Sequence, residues 1–127
     1  MIVRTLDEII GTERDVRGEG WMSRRLILRG DGMGCSLSDT VIAAGREQRM
    51  EYKHHFETNY CISGEGEVED LATGRKYPIR PGMVYALDKH DAHVVRAKTE
   101  LRFVCVFYPA LAGAEKHQPD GSYAPST

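Results

Sequence analysis

The chain has 127 residues, of which 41% are hydrophobic and 28% charged, a balance typical of one soluble domain with its own core. A net charge of −2 does not favour nucleic acid as a partner. Because the sequence shows neither a signal-peptide run nor the roughly 18 consecutive apolar residues of a membrane helix, we also expect no membrane partner.

The three cysteines are Cys35, Cys61 and Cys105. Their odd number and wide spacing, without a Cys-x-x-Cys pair, do not predict a disulfide framework or a structural zinc site. Unpaired thiols suit a reducing compartment, so we expect a cytoplasmic protein.

One short helix is predicted near the N-terminus, and the rest of the pattern indicates strands. Thr5 and Glu8 have capping-box spacing and Gly11 follows as a stop signal, which predicts a helix from about Leu6 to Ile10. The predicted strands, in chain order, are 25–28, 35–43, 49–52, 59–62, 67–71, 76–79, 84–87, 93–96 and 101–107. Many short strands separated by glycine-containing turns predict an all-β sandwich or barrel.

The composition changes from about Pro109 onward. Glycine, proline, alanine and charged residues dominate there, and the strand periodicity ends. We therefore predict a single domain over residues 1–127 in which residues 109–127 form a flexible C-terminal segment.

Two stretches carry the spacing of the two cupin motifs, which surround a metal site inside a double-stranded antiparallel β-barrel. The first motif corresponds to Gly45, Glu51, Lys53, Glu57 and Gly64, and the second to Gly82, Asp88, His90 and His93. Glu51 and Lys53 replace the two histidines of the first motif. The pattern predicts a cupin barrel, a jelly-roll-like double-stranded β-helix, with Glu57 and His93 as the surviving metal ligands.

Alternation along the strand extends this prediction. Alternate side chains of a strand share a face, so Glu51, Lys53, His55 and Glu57 would all face the interior if no bulge intervenes. Lysine is normally protonated and is a poor metal ligand, whereas Glu51 remains open as a further ligand.

The third ligand could come from Tyr85 on a neighbouring strand. A Glu57, Tyr85 and His93 set with open positions suits a divalent transition metal such as iron(II), with zinc or manganese as alternatives. The alternative without a metal is that Glu57 is an exposed strand carboxylate and His93 a satisfied polar residue.

Several longer runs resemble the ectoine synthase family. They are Met1 to Arg4, Gly11 to Trp21, Asp31 to Gly34, Glu69 to Gly74, Met83 to Asp91 and Cys105 to Phe107. The resemblance spans residues 1 to 123. It implies a cupin enzyme, a hydro-lyase that acts on the small molecule N-γ-acetyl-2,4-diaminobutyrate. The free α-amine attacks the acetamide carbonyl carbon, water leaves, and the cyclic amidine ectoine, a compatible solute, forms.

The resemblance also implies roles for individual residues. Glu57, Tyr85 and His93 match the family's iron ligands. The substrate pocket would be lined by Trp21, Arg25, Thr40, Cys105 and Phe107, with Arg25 pairing with the substrate carboxylate. Tyr52 and His55 would shape the site or move protons, and Glu115 and His117 would belong to a lid that folds over the barrel mouth. Cupins of this kind commonly pair, so we expect a homodimer.

This sequence departs from the family pattern at a few positions. Glu51 stands where an aromatic residue is usual and could add a fourth metal ligand or repel the substrate carboxylate. Ser38 stands where a different polar residue is usual. Two alternatives remain at this point: a cupin dioxygenase that uses the same iron with oxygen, and a non-catalytic cupin that binds a small molecule. The missing histidine-rich ligand set disfavours the first, and the retained ligand and lid residues disfavour the second.

Overall fold

Antiparallel strands make up most of the protein, for which a computed structural model describes residues 1–118 and 121–123. The helical elements are α1 (Leu6–Ile9) and a 3-10 turn (Arg29–Asp31). The strands are β1 (Asp15–Gly18), β2 (Trp21–Ile27), β3 (Ser36–Ile42), β4 (Glu47–Met50), β5 (Phe56–Ser63), β6 (Gly66–Asp70), β7 (Lys76–Ile79), β8 (Val84–Leu87), β9 (His93–Ala97) and β10 (Leu101–Tyr108). The all-β prediction is confirmed.

The strands form two sheets whose inner faces enclose the core. A six-stranded sheet has the order β1-β2-β3-β10-β5-β8, and a four-stranded sheet has the order β4-β9-β6-β7. Every neighbouring pair is antiparallel. Leu101 and Phe103 of the first sheet and Val95 and Ile79 of the second are buried between them. This arrangement is the one that the predicted cupin barrel requires.

The N-terminal prediction is also confirmed in detail. The Thr5 hydroxyl accepts a hydrogen bond from the Glu8 backbone at 3.4 Å, and the Glu8 carboxylate accepts one from the Thr5 backbone at 3.5 Å. Asp31 then holds the N-terminal segment against the barrel, because its carboxylate pairs with Arg4 at 2.8 Å. That guanidinium, as the largest influence, holds the pKa of Asp31 below its usual range.

One strand was not predicted. β1 pairs with β2 in a hairpin, with Gly18 opposite Trp21. A Cβ atom at Gly18 would lie 2.3 Å from the Trp21 ring, so the glycine is needed for the ring to pack there. Glycine weakens a strand signal, which explains why the sequence pattern gave no strand before residue 25.

The predicted alternation from Glu51 to Glu57 is wrong. β4 ends at Met50 and residues 51–55 form a turn, because β4 belongs to the four-stranded sheet and β5 to the six-stranded one. Lys53 lies exposed on this crossing. The Glu51 carboxylate accepts a hydrogen bond from Arg49 at 3.2 Å. The structure therefore pairs Glu51 with Arg49, outside the cavity lining described below.

The described part of the predicted C-terminal segment packs on the barrel. Leu111 is fully buried, and its backbone N–H donates to the Ser36 hydroxyl at 3.1 Å. The Glu51 backbone N–H donates to the Gly121 carbonyl at 3.0 Å. Residues 119, 120 and 124–127 of this segment lie outside the described residues.

Two further features of the structure concern disulfide bonds and membrane-spanning helices. All three cysteines are free thiols. The described part of the chain holds no helix with the length and apolar character needed to traverse a bilayer.

Candidate active site

A cavity lies between the two sheets beside the C-terminal segment. Its volume is about 30 Å³, so the docked C-terminal segment leaves only a narrow space. Eight of the predicted site residues line it: Trp21, Thr40, Tyr52, Glu57, Tyr85, Cys105, Phe107 and His117. Four others, Arg25, His55, His93 and Glu115, surround it without belonging to this lining. The structure therefore brings residues that are far apart in the sequence to one place.

The three candidate metal ligands come from both sheets. Glu57 of β5 pairs with Leu87, and the next inward residue of β5, Asn59, pairs with Tyr85 of β8. Glu57 and Tyr85 are thus diagonal neighbours on one inner face, within reach of each other for long side chains. His93 begins β9 in the opposite sheet, and its ring centre lies 6.3 Å from that of Tyr85.

Burial perturbs the two acidic groups of this set. Desolvation raises the pKa of Glu57 to about 7, and the nearby Asn59 amide opposes this rise. Burial, followed by the Glu57 carboxylate, also raises the pKa of the Tyr85 phenol. A carboxylate in such surroundings is costly unless a cation or hydrogen-bond donors accompany it.

His93 is oriented as a ligand would be. Its Nδ1 lies 2.9 Å from the Asp91 carbonyl oxygen, and a carbonyl only accepts, so Nδ1 carries the proton. Nε2 therefore presents a lone pair. Nε2 is buried and has no hydrogen-bond partner in the described part of the chain. A backbone carbonyl that fixes the tautomer in this way is typical of metal-bound histidine, and burial lowers the His93 pKa so that the ring stays neutral.

The candidate ligand set includes a tyrosine, Tyr85, which is an unusual metal ligand. Among residues 1–118 and 121–123, no group of three or more histidine, cysteine, aspartate or glutamate side chains could hold a metal ion. Glu57 and His93 supply two such groups and Tyr85 would supply a phenol oxygen. The unpaired Nε2 and the buried carboxylate fit a divalent cation.

A hydrogen bond between Cys105 and Asn59 lies in the cavity wall next to Glu57. The Cys105 thiol donates to the Asn59 side-chain oxygen at 2.7 Å. Burial, followed by the Glu57 charge, raises the pKa of Cys105, while a hydrogen bond from Thr40 lowers it. Cys105 is therefore a protonated thiol within a hydrogen-bonded chain rather than a nucleophile.

Aromatic side chains form the rest of the wall. The Tyr52 ring meets the edge of Phe107 with ring centres 5.1 Å apart. Trp21 meets His117 edge-on at 5.0 Å. Tyr123 stacks on His117 at 4.7 Å with an angle of 14° between the rings. Part of this wall thus comes from the C-terminal segment.

His117 holds that segment to the barrel by two hydrogen bonds. Its Nε2 lies 2.6 Å from the Tyr52 hydroxyl, and its Nδ1 lies 2.9 Å from the Gln48 amide nitrogen. Burial, followed by the charge of Arg25, lowers the His117 pKa to about 4. The docked imidazole is therefore neutral at neutral pH.

Arg25 and Glu115 also hold the C-terminal segment against the barrel. The fully buried Arg25 guanidinium donates to the Gly113 carbonyl at 3.0 Å and to the Glu115 carbonyl at 2.7 Å. The Glu115 carboxylate accepts from the backbone N–H groups of Ala112 and Gly113 at 2.6 and 2.7 Å. The predicted partner of a substrate carboxylate thus contacts the C-terminal segment instead. His55 acts similarly, because its Nδ1 lies 2.8 Å from the Pro109 carbonyl oxygen.

Sequence reasoning missed four polar residues of the lining: Ser23, Gln48, Asn59 and Tyr123. Asn59 had a usable signal, since it stands two residues after Glu57 and therefore shares its inward face. Tyr123 had none, because irregular structure has no periodicity that would predict its contacts.

The comparisons with known proteins agree with one another. The sequence profile described as ectoine synthase matches residues 1–127. The L-ectoine synthase of Desulfatibacillum aliphaticivorans is 57% identical over 97% of this chain and 96% of that protein. The L-ectoine synthase of Halomonas elongata is 52% identical over 99% of this chain and 93% of that protein.

The comparison with solved structures also finds an ectoine synthase. The crystal structure of ectoine synthase from P. lautus superimposes with a TM-score of 0.86 and 54% identity, covering 89% of this chain and 81% of that one. The polyketide cyclase RemF from Streptomyces resistomycificus has a TM-score of 0.70 at 17% identity, over 85% of this chain and 80% of that one, a likeness of fold alone.

The lowered pKa of His117 predicts that docking of the C-terminal segment depends on pH. An undocked histidine titrates near 6.5, so the undocked state binds more protons than the docked one below that pH. Docking should be complete above about pH 6.5 and should weaken as the pH falls toward 4. The emission of Trp21, the single tryptophan of the sequence, should report this because its ring contacts His117.

The His117→Gln variant is the control for this titration. Arg25, His93 and Arg46 face His117. Burial lowers the pKa of His93 and raises that of Tyr123, which keeps the phenol neutral. The variant should therefore lose the emission change between pH 6.5 and 4. An unchanged transition in the variant would assign it to another group.

Proposed function

The chain belongs to the ectoine synthase family, and from that premise we propose that it closes the ring of N-γ-acetyl-2,4-diaminobutyrate, with loss of water, to give ectoine. The observation that carries this proposal is the match over the full chain to relatives more than half identical to it. The cavity supports it, because it combines aromatic walls with a small set of convergent polar groups.

We propose that Glu57, Tyr85 and His93 would hold a divalent cation, iron(II) first, with zinc and manganese as alternatives. Support comes from the unpaired His93 Nε2 and from the burial of Glu57. Such a cation would polarise the acetamide carbonyl and stabilise negative charge developing on its oxygen. The remaining chemistry falls to side chains of this chain.

The reaction needs groups that move protons. The α-ammonium must lose a proton before it can attack, and the departing oxygen must gain protons as water forms. The Tyr52 hydroxyl and the neutral His117 imidazole are hydrogen-bonded to each other on the cavity wall, and both types of group transfer protons in enzymes. Because the Gln48 amide nitrogen only donates, His117 Nδ1 accepts from it, and His117 Nε2 carries the proton that faces the Tyr52 hydroxyl. His55 and Glu115 would act indirectly, by holding the C-terminal segment.

Exclusion of water favours ring closure over hydrolysis of the acetamide. Trp21, Phe107 and Tyr123 surround the reacting space with apolar surface. Arg25 and His117 hold the segment that closes it. We propose that the C-terminal segment opens to admit the substrate and then holds it folded between these walls, with its amine and carbonyl oriented, which replaces an entropic cost of the uncatalysed reaction.

We also propose a cytoplasmic location and a homodimer. Three free thiols support the location. An apolar outer face of the six-stranded sheet supports the dimer: Tyr60 pairs with Val84, Tyr108 pairs with Phe56, and all four side chains are exposed. Exposed contiguous apolar surface marks an interaction site, and β8 is the open edge of that sheet. A second copy of the chain would cover this face.

The proposed reaction predicts a defined product. Protein purified without oxygen and loaded with iron(II) should convert N-γ-acetyl-2,4-diaminobutyrate to a compound lighter by one water, with amidine signals in the proton NMR spectrum. Mass spectrometry follows the change. Unchanged substrate in the presence of metal-loaded protein would contradict the proposal.

If Glu57 is a metal ligand and Glu51 is not, only substitution of Glu57 should lower the amount of bound metal. Glu57→Gln and His93→Gln should reduce bound metal to well below one equivalent, measured by elemental analysis, because each removes a donor. Glu51→Gln, the control, should retain full metal because its carboxylate pairs with Arg49 at the surface. Glu57→Gln should not lower the melting temperature of the metal-free protein, since it removes a buried charge. Full metal in either ligand variant would refute the assignment.

The dimer proposal is tested by charge on the apolar face. Tyr60 is 48% exposed on this face. The Tyr60→Lys variant should be a monomer in light scattering after gel filtration. Tyr77 on β7 is similarly exposed at 43%, so Tyr77→Lys, on the other sheet, should leave the dimer intact. A monomeric wild type, or a dimer that survives Tyr60→Lys, would exclude this interface.

A further inference from the structure

Asn59 lies in the cavity wall beside two of the proposed metal ligands. It pairs across β5 and β8 with Tyr85 and across β5 and β10 with Cys105, and it stands two residues from Glu57 on the same inward face. Its side chain is buried and lines the cavity.

The chemistry of its neighbours fixes the orientation of the Asn59 amide. Cys105 donates its thiol hydrogen to the Asn59 side-chain oxygen at 2.7 Å. The amide nitrogen therefore points away from the thiol, toward Glu57. The reverse orientation would place the amide oxygen against a carboxylate, which is electrostatically unfavourable. Both contacts thus select the same arrangement.

The Asn59 Nδ2 group is a buried donor that still has free capacity. This nitrogen carries two hydrogens: one is directed at the Glu57 carboxylate, whose pKa it lowers, and neither meets a partner with full hydrogen-bond geometry in residues 1–118 and 121–123. A buried polar atom left unpaired costs roughly 1–3 kcal/mol, so such an atom facing a cavity points to a ligand that completes it. Asn59 is also the last member of a hydrogen-bonded chain that runs from Thr40 through Cys105, and successive hydrogen bonds in a chain polarise one another.

We infer that the Asn59 Nδ2 group donates a hydrogen bond to the acetamide oxygen of the substrate. This inference rests on the proposed function. A substrate carboxylate next to Glu57 would meet a like charge, whereas the acetamide oxygen is neutral before attack and becomes negative only as the ring closes. A fixed, neutral donor at that position stabilises the transition state more than the bound substrate.

The Asn59→Leu variant tests the role because it keeps the branching of the side chain while it removes the donor, together with the acceptor of the Cys105 thiol. We expect kcat to fall about 10²-fold, as for loss of one oxyanion donor, with KM changed by less than about threefold. Thr58→Val on the outward face of the same strand is the matched control and should keep wild-type kinetics. Melting temperature and bound metal are measured for both variants.

The outcomes separate the inference from the proposed function. Wild-type protein that forms no ectoine would refute the proposed function itself. Wild-type activity with an Asn59→Leu kcat within threefold of it would overturn the inference alone. A loss of activity that disappears when rates are expressed per bound metal would also overturn it, because Asn59 would then act only on Glu57.

A second measurement uses the fact that Asn59 is the single asparagine of the sequence. Protein labelled with 15N-asparagine and loaded with zinc gives one pair of side-chain amide signals. Saturating N-γ-acetyl-2,4-diaminobutyrate should move one of these protons downfield, whereas ectoine, which lacks the acetamide oxygen, should not. Equal shifts with both compounds, or none with saturating substrate, would contradict the assigned hydrogen bond.

Discussion

Glu57 and His93 lie in a barrel interior that desolvates the carboxylate of the one and leaves the Nε2 atom of the other without a partner among the described residues. The carboxylate is buried, which raises its pKa to about 7, and the His93 Nε2 lone pair meets no donor among the described residues. Two such groups from opposite sheets would destabilise an empty barrel. A divalent cation would satisfy both at once, with the Tyr85 phenol as a further donor. We propose the metal on that ground.

Closure of the cavity also depends on a buried polar group that needs hydrogen-bond partners. The Arg25 guanidinium is fully buried, so it too needs acceptors, and the carbonyl groups of Gly113 and Glu115 supply them. His117 adds a neutral hydrogen bond to Tyr52. The residues that shape the reaction space and the residues that fasten the C-terminal segment therefore form one connected set. We propose that release of that segment would expose the Arg25 guanidinium to a substrate carboxylate.

Much of the fold and half of the site could be predicted from the sequence. The capping box at Thr5 and the strands 76–79 and 84–87 were found as the structure has them. Motif spacing identified Glu57, which lines the cavity, and His93, which is buried in the opposite sheet, because strand register transmits spacing into position. The alternation from Glu51 failed, since a change of sheet between Met50 and Phe56 interrupts it and no local pattern marks that change. The contacts of Tyr123 could not be predicted, because a segment without periodicity is positioned only by what it packs against.

The central claim is that the barrel interior is a metal centre built from both sheets. The most direct test is a crystal of the full chain grown with iron(II) without oxygen, with anomalous data collected at the iron edge. The account predicts one peak, about 2 Å from the Glu57 carboxylate, the Tyr85 hydroxyl and the His93 Nε2. An interior without a peak, in crystals whose iron content is shown, or a peak bound by other residues, would contradict it.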